Sequence, residues 1–249
     1  KAGGAQVYTA SVSASNYTEV RGEQLIRDLD TLRAVTGKQK FNLIGHSHGG
    51  PTTRYVASVR PDLVASVTVL GSPNTGAPMA DAISTTLPPG SPLRTIVASF
   101  VNAFSGFLGA LSGNTDPQNA LGALASLSTA GSTQFNARHP QGKPTTSCGS
   151  GAATVNGIRY YSLSGTSVLT NIFDISDPLM GAGSLVFGFE ANDGLVGRCS
   201  SHWGTVLRDD YGWNHLDEVN QFLGLRGLFS SSPASVLRAQ ANRLRTLGL

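Results

Sequence analysis

Apolar and polar positions in the first part of the chain follow two alternating patterns. Apolar residues recur at helical spacing from Gly22 to Thr36, and a second helix is predicted from about Gly50 to Val59. Short apolar runs over 41–44 and 64–70 flank the second helix and are typical of buried parallel strands. With a strand predicted over 6–12, this order indicates an α/β fold, a mostly parallel sheet with right-handed helical crossovers.

The pattern changes between about residues 88 and 127, where we expect an insertion into the fold. The segment Leu93–Leu111 is strongly apolar and carries a single charge, on Arg94. Its apolar residues are spaced three and four apart, which fits either a helix of the core or an amphipathic lid over an active site. The position of the segment between predicted strands favours the lid.

The second half of the chain is less regular. A strand is predicted over 159–164, an irregular acidic stretch over 171–196, and a final helix from about Ser235 to Leu247. A chain of 249 residues can bury one large core. We therefore expect a single domain over residues 1–249 that carries the insertion.

Composition narrows the class of protein. Charged residues make up 13 % of the chain, roughly half the usual share, which argues against long disordered charged tails and favours a compact secreted or envelope enzyme. The formal net charge of +3 comes from scattered lysines and arginines, which argues against a nucleic-acid-binding face. No apolar run is long enough for a transmembrane helix.

The most informative motif is Gly45-His46-Ser47-His48-Gly49, between a predicted strand and a predicted helix. A serine hydroxyl becomes an effective nucleophile when a strained strand-to-helix turn exposes it to a histidine base, and flanking glycines avoid collisions there. The helix N-terminus directs backbone N–H groups at a developing oxyanion, and the amide of His48 is the expected donor. The side chains of His46 and His48 should point away from Ser47, so we expect them to pack around the turn.

The base must lie beyond Ser47, because in α/β folds with this Gly-x-Ser-x-Gly turn the catalytic residues follow along the chain in the order serine, acid, histidine. His139 lies in a polar, proline-rich loop ahead of the candidate acids, and His202 lies three residues after Cys199. His215 stands in a loop just before a helical-looking segment. We therefore predict His215 as the base.

The acid should lie in a tight turn from which it can orient the imidazole. Asn192-Asp193-Gly194 is such a turn and is followed by the apolar pair Leu195-Val196, so Asp193 is the predicted acid. The competing carboxylates, each of which could also be a solvated loop residue, are Asp174, Asp177, Asp209 and Asp210.

The two cysteines, Cys148 and Cys199, are too few for a zinc site and lack C-x-x-C spacing. Either a disulfide or two free thiols would fit. Both lie in polar segments that read as loops, where free thiols would be a liability outside the cytosol, so a disulfide in an oxidising compartment is favoured. On the chain-entropy model, closing a loop of about 50 residues contributes roughly 4 kcal/mol.

Three segments closely resemble the secreted triacylglycerol lipases of Pseudomonas and Burkholderia. They are Gly-His-Ser-His-Gly-Gly-Pro at 45–51, Ala-Asn-Asp-Gly-Leu-Val-Gly-Arg-Cys-Ser at 191–200 and Asn-His-Leu-Asp-Glu-Val-Asn-Gln at 214–221. The similarity extends over essentially the whole chain. It implies the α/β-hydrolase fold and a mobile helical lid within about 90–115. It also implies a triad of Ser47, Asp193 and His215 and a Cys148–Cys199 disulfide.

The resemblance further implies one structural calcium ion. In the family, two aspartates and two backbone carbonyls near the catalytic histidine hold the ion, and the matching positions here are Asp174, Asp217, Gln221 and Leu225. Carboxylate and carbonyl oxygens suit this hard cation. The ion would hold the loop of His215 in place and would take no part in the chemistry.

The resemblance also implies a lipid ester substrate such as triglyceride at a lipid–water interface. Secretion through the periplasm, with help from a lipase-specific foldase, is implied as well. The family begins with a strand and a His-Gly loop that supplies a second oxyanion donor, and no such motif precedes Gln6. We therefore expect the sequence to be N-terminally incomplete, and loss of one donor costs about 10²–10³ in rate.

Two other functions stay open at this point. A soluble short-chain carboxylesterase would share the triad but would not need a large apolar lid. A non-catalytic binding module could keep the fold, although the presence of all three triad candidates in the expected order argues against it.

Overall fold

A five-stranded sheet forms the centre of the computed structural model, which describes residues 4–84, 90 and 116–249. The parallel strands are β1 (Phe41–His46), β2 (Val64–Leu70), β4 (Ile158–Gly165) and β5 (Thr205–Tyr211), paired in the order β1-β2-β4-β5. The short β3 (Thr154–Val155) is antiparallel to the start of β4. The predicted α/β fold and the predicted strands that correspond to β1, β2 and β4 are thus confirmed.

Seven α-helices occur in the described ranges. They are α1 (Thr18–Thr36), α2 (Gly49–Val59), α3 (Pro78–Ser84), α4 (Ala120–Leu127), α5 (Thr129–Arg138), α6 (Asp177–Ser184) and α7 (Pro233–Thr246). The helix α1 ends at Gly37, whose φ of 71° is easily adopted only by glycine and whose N–H bonds the Arg33 carbonyl. Short 3₁₀ turns lie at Pro61–Leu63, Leu185–Phe187, Cys199–Ser201, Asp217–Val219 and Phe222–Gly224.

The main core lies between the sheet and the helices α1 and α2. All seven residues of β2 are buried, which explains why this strand is a continuous run of apolar and small residues instead of an alternating one. A second apolar cluster lies near the predicted base and consists of Met79, Met180, Leu195, Val196 and Leu216. The main core supports the strand that leads to Ser47, and the second apolar cluster includes Leu216, which follows His215.

A buried arginine anchors the helix that follows Ser47. The guanidinium carbon of Arg54 lies 3.2 Å from the centroid of the Trp203 ring. Arg54 also donates hydrogen bonds to the side chains of Asn74, at 3.1 Å, and Asn136, at 2.5 Å. These contacts tie α2 to three distant parts of the chain, which holds the start of the helix in a defined position.

The strand predicted over 6–12 is not present. Residues 4–11 are exposed and belong to no strand, and the N–H of Ser11 donates to the side chain of Asp28 at 3.1 Å. Among the described residues no strand pairs with this segment. Its β-branched and aromatic residues therefore lack the cross-strand packing on which β-propensity depends.

The predicted insertion is described only in part. The apolar segment Leu93–Leu111 lies outside the described residues. The end of the insertion forms α4, whose N-cap residue Asn119 accepts a hydrogen bond from the N–H of Gly122 at 2.8 Å. The helix α5 follows α4 after a single residue, Ser128, which caps α5 in the same way.

Cys148 and Cys199 form a disulfide, as predicted. The bridge joins the loop before β3 to the 3₁₀ turn before β5. None of the described helices is long and apolar enough to cross a membrane.

Candidate active site

Ser47 lies at the turn between β1 and α2, with a φ of 53° that is rare for a residue other than glycine. Its N–H bonds the carbonyl of Leu70 at 3.0 Å, and its carbonyl accepts the N–H of Gly50 at 3.0 Å. The backbone of Ser47 is therefore held at the C-terminal edge of the sheet, in the strained conformation typical of a nucleophile.

Two glycines make this turn possible. A Cβ atom on Gly45 would collide with the backbone carbonyl of Gly49, and one on Gly50 would collide with the side chain of Ser72. A Cβ on Gly49 would meet no atom within 4 Å. The steric requirement predicted for the second motif glycine is therefore met at Gly50 and not at Gly49.

Asp193 and His215 form a buried pair. His215 Nδ1 lies 2.8 Å from Asp193 Oδ2, and the N–H of His215 donates to the Asp193 carbonyl at 2.8 Å. The other carboxylate oxygen accepts the N–H groups of Leu195 and Val196 at 2.9 and 2.7 Å. Because the carboxylate accepts a hydrogen bond, Nδ1 of His215 carries the hydrogen and Nε2 is left as the basic nitrogen.

The side chains of Ser47 and His215 are not hydrogen-bonded to each other in the structure. The link between their two loops passes through His46, whose Nε2 lies 3.0 Å from the carbonyl oxygen of His215. The centroids of the two imidazole rings lie 4.5 Å apart. Hydrogen bonds between a nucleophile and its base are often long in substrate-free enzymes, so this geometry is compatible with His215 as the base.

His48 supplies a backbone N–H at the start of α2. This N–H donates to none of the described residues, as an oxyanion donor requires. The His48 side chain is buried, and its Nε2 contacts the hydroxyl of Thr18 at 2.8 Å. Burial, and then the charge of Arg21, hold the pKa of His48 well below its usual range. As predicted, His48 packs beside the turn through a neutral side chain.

The two expected calcium-binding aspartates are both buried, and each has one carboxylate oxygen without a hydrogen-bond partner. These atoms are Asp174 Oδ2 and Asp217 Oδ1. Burial, and then the charges of Asp174 and Asp177, raise the pKa of Asp217 to about 6. Buried polar atoms normally have partners, so these two oxygens fit a bound cation with a preference for carboxylates.

The remaining two expected ligands, Gln221 and Leu225, lie in a segment with an unusual backbone. Asn220 and Leu223 in this segment have φ values of 60° and 64°. The carbonyl of Arg226, at the end of the segment, accepts the side-chain N–H of Asn171 at 3.0 Å. This bond ties the segment to the loop that contains Asp174.

Comparison with known proteins agrees with this geometry. Residues 1–204 match the family model described as the alpha/beta hydrolase fold. This chain belongs to the α/β-hydrolase family. A Vibrio cholerae serotype O1 protein named triacylglycerol lipase is 53 % identical over 247 residues, which cover 99 % of this chain and 79 % of that protein. A triacylglycerol lipase of Pseudomonas fragi is 43 % identical over 256 residues, covering 99 % and 87 %.

A solved structure shows the same fold at low identity. The Staphylococcus hyicus lipase superposes with a TM-score of 0.58 over 97 % of this chain and 85 % of that one, at 18 % identity. At this identity the likeness concerns the fold alone. The family assignment therefore depends on the family model and on the two sequence relatives.

In this α/β hydrolase the rival candidates for the base have other partners. His139 Nδ1 contacts the Ser58 hydroxyl at 2.8 Å. His202 contacts Asp209 at 2.8 Å through Nε2 and the Gly149 carbonyl at 3.1 Å through Nδ1. His202 and Asp209 resemble a catalytic pair, but both nitrogens of His202 face acceptors, so neither is free to take a proton from a serine.

The rival acids also have structural partners. Asp209 pairs with Arg198 at 2.7 Å, and Arg208 pairs with the exposed Asp210. Asp177 accepts the N–H groups of Thr170 and Asn171 and the side-chain amide of Asn214 at 2.6, 2.8 and 2.8 Å. Asp177 thus joins the loop of Asp174 to the residue just before His215.

One buried carboxyl group was missed by the sequence analysis. Glu218 is fully buried, its Oε1 accepts the N–H of Gly165 at 2.7 Å, and its Oε2 lies 3.2 Å from His46 Nε2. Burial, and then the charge of Asp193, raise the pKa of Glu218 well above its usual range. The available signal was its place three residues after the predicted base, within the Asn-His-Leu-Asp-Glu motif.

Proposed function

We propose that this protein hydrolyses carboxylic esters, and triacylglycerols in particular, through an acyl-enzyme on Ser47. The observation that carries the proposal is the buried Asp193–His215 pair, joined through His46 to a strained turn that contains Ser47. The two triacylglycerol lipases that share 53 % and 43 % identity with this chain support the same activity.

In the proposed reaction, His215 takes the proton of the Ser47 hydroxyl while the serine oxygen attacks the ester carbonyl. The N–H of His48 donates to the oxyanion of the tetrahedral intermediate. His215 then gives its proton to the departing alcohol, and water releases the acid by the same steps in reverse. Asp193 orients the imidazole and stabilises its positive charge throughout.

Apolar side chains lie next to the proposed triad, as a site for an acyl chain requires. The second apolar cluster includes Leu195 and Val196, which follow Asp193, and Leu216, which follows His215. A lid within about 90–115 would add apolar surface. The competing function is a short-chain esterase, and the two differ in whether hydrolysis rises sharply once the ester exceeds its solubility.

We also propose a single structural calcium ion, held by Asp174 and Asp217 with the carbonyls of Gln221 and Leu225. The support is the pair of buried oxygens, on Asp174 and Asp217, that lack hydrogen-bond partners. When bound, the ion would supply positive charge that neutralises these carboxylates. Asp217 would then hold the backbone of Asn214, whose N–H it accepts at 3.1 Å, and with it the loop of His215.

Secretion is part of the proposal, because a disulfide is typical of oxidising compartments. A route through the periplasm with a lipase-specific foldase follows from the family resemblance and awaits a test of its own. We also propose that the chain forms a single domain with a lid insertion over about 88–127.

A serine-directed phosphonate tests the function. We expect stoichiometric labelling of Ser47, together with loss of hydrolysis of an emulsified triglyceride. The Ser47→Ala variant should take up no label, whereas Ser235→Ala, a matched control on the exposed face of α7, should be labelled like the parent chain. Phosphonate labelling of the Ser47→Ala variant, or ester hydrolysis by that variant, would overturn the assignment.

A further inference from the structure

We propose that His46 is a positioning residue whose Nε2–H holds the backbone of His215 and so sets the distance between nucleophile and base. The inference rests on the proposed function. The contact that carries it is the 3.0 Å distance between His46 Nε2 and the carbonyl oxygen of His215. His46 is also the last residue of β1 and directly precedes Ser47.

The chemistry of the two partners determines which tautomer His46 adopts. A backbone carbonyl only accepts hydrogen bonds, so Nε2 of His46 must carry the hydrogen. Burial, and then the charge of His215, hold the pKa of His46 well below its usual range. The ring is therefore neutral, with its one N–H directed at His215 and with Nδ1 unprotonated.

Glu218 also lies close to this N–H but does not accept a hydrogen bond from it. Its Oε2 is 3.2 Å from Nε2 but accepts no hydrogen bond, because the N–H is directed at the carbonyl. The same carboxyl group is engaged elsewhere, since its Oε1 accepts the N–H of Gly165 at 2.7 Å. Glu218 thus leaves the bond from His46 to His215 intact.

This bond joins two parts of the site that are 169 residues apart in sequence. Asp193 orients the His215 ring through Nδ1, whereas His46 holds the His215 backbone. The backbone of His46 is itself fixed, since β1 pairs with β2 up to the partners His46 and Leu70. The end of β1 at His46 therefore fixes the position of Ser47 relative to His215, without a direct bond between these two residues.

Two variants separate the donor from the ring. His46→Phe keeps an aromatic ring of similar size but removes the donor, and His46→Gln keeps an N–H at the position of Nε2 but removes the ring. A misplacement of about 1 Å in an active site can cost about 10²-fold in rate. We expect His46→Phe to lower kcat about 10-fold to 100-fold with KM unchanged, and His46→Gln to retain most of kcat.

The tautomer is a separate test that needs no variant. ¹⁵N-labelled histidine in the parent chain should show His46 protonated at Nε2 and bare at Nδ1 through the neutral pH range. The opposite tautomer would overturn the inference, as would a kcat for His46→Phe equal to the parent value. A loss in His46→Gln as large as in His46→Phe would overturn it too.

Phosphonate labelling of Ser47 keeps the two proposals distinguishable. If the parent chain is not labelled, the proposed function fails whatever His46 does. If the parent chain is labelled and His46→Phe is labelled at the same rate, with the same melting temperature, the function stands and the positioning role fails. Slower labelling of a fully folded His46→Phe chain supports both.

Discussion

His215 Nδ1 lies 2.8 Å from Asp193 Oδ2, and the same carboxylate accepts two backbone N–H groups of its own turn through its other oxygen. Asparagine at this position would keep the turn by presenting its oxygen to the backbone, and would then direct its NH₂ at Nδ1. That arrangement forces the hydrogen of His215 onto Nε2, where the base must be free.

We therefore predict that Asp193→Asn folds normally and loses about 10⁴-fold in kcat. Ser47→Ala and His215→Ala should each abolish hydrolysis of a dissolved ester at least as completely, because the three groups act as a unit. His202→Gln is the matched control in the rival His–Asp pair, and it should retain turnover. Turnover that survives in His215→Ala and disappears in His202→Gln would mean that the base is His202.

Calcium removal should destabilise the protein. A ligand that binds only the folded chain raises its stability by mass action, so a chelator should lower the melting temperature of the parent chain. Asp217→Asn, which cannot bind the ion as tightly, should melt at one temperature with or without chelator. The control Asp210→Asn changes an exposed carboxylate and should keep the sensitivity. Indifference of the parent chain to chelator would contradict the proposed ion.

His48 should contribute to acid unfolding. Its folded pKa is lowered by burial while the unfolded pKa stays near 6.5, so unfolding takes up a proton below that pH. The stability associated with His48 is complete above pH 6.5 and is lost as the pH falls. His48→Gln should flatten the fall in unfolding free energy by up to about 1.4 kcal/mol per pH unit. Denaturant titrations from pH 5 to 8 measure the free energy of unfolding of both chains. The same dependence on pH in the parent chain and in His48→Gln would refute the prediction.

The disulfide should stabilise the fold mainly through the unfolded chain. Cys148 and Cys199 are 51 residues apart, for which the chain-entropy model gives about 4 kcal/mol. The double variant Cys148→Ser/Cys199→Ser should lose up to that free energy of unfolding in denaturant titrations. Mild reduction of the parent chain should have the same effect, and an unchanged midpoint under reduction would contradict it.

The predicted lid can be tested by its response to the physical state of the substrate. Phe104→Glu should weaken hydrolysis of an emulsified triglyceride more than hydrolysis of a dissolved short ester, because a charge opposes contact with lipid. Asn102→Glu adds the same charge on the opposite side of the predicted helix and should spare both activities. Equal losses on the two substrates in Phe104→Glu would indicate a helix of the core.

Several features of the site could be read from local patterns. The strands β1 and β2 and the helix α2 follow from apolar runs and helical spacing. The strained turn at Ser47 follows from the glycine-flanked motif between β1 and α2. The Asn192-Asp193-Gly194 turn and the loop of His215 were identified in the same way, and the two side chains are in contact. Each of these signals lies within about ten consecutive residues, where backbone geometry and nearest neighbours dominate.

The amino-acid sequence by itself determined the α/β class and the strained turn at Ser47, because propensity and turn chemistry are properties of short segments. It also determined the disulfide, because the chain has only two cysteines and they can pair in one way. Only the tertiary structure decided which glycine is packed against Ser72, and that residues 6–12 pair with no strand in the described part of the chain. It also decided that His46, partly buried and one residue before Ser47, contacts the His215 backbone and lies 3.2 Å from the buried Glu218. Those outcomes depend on which distant segments come together, and no local pattern records the neighbours that a side chain will meet across the sheet.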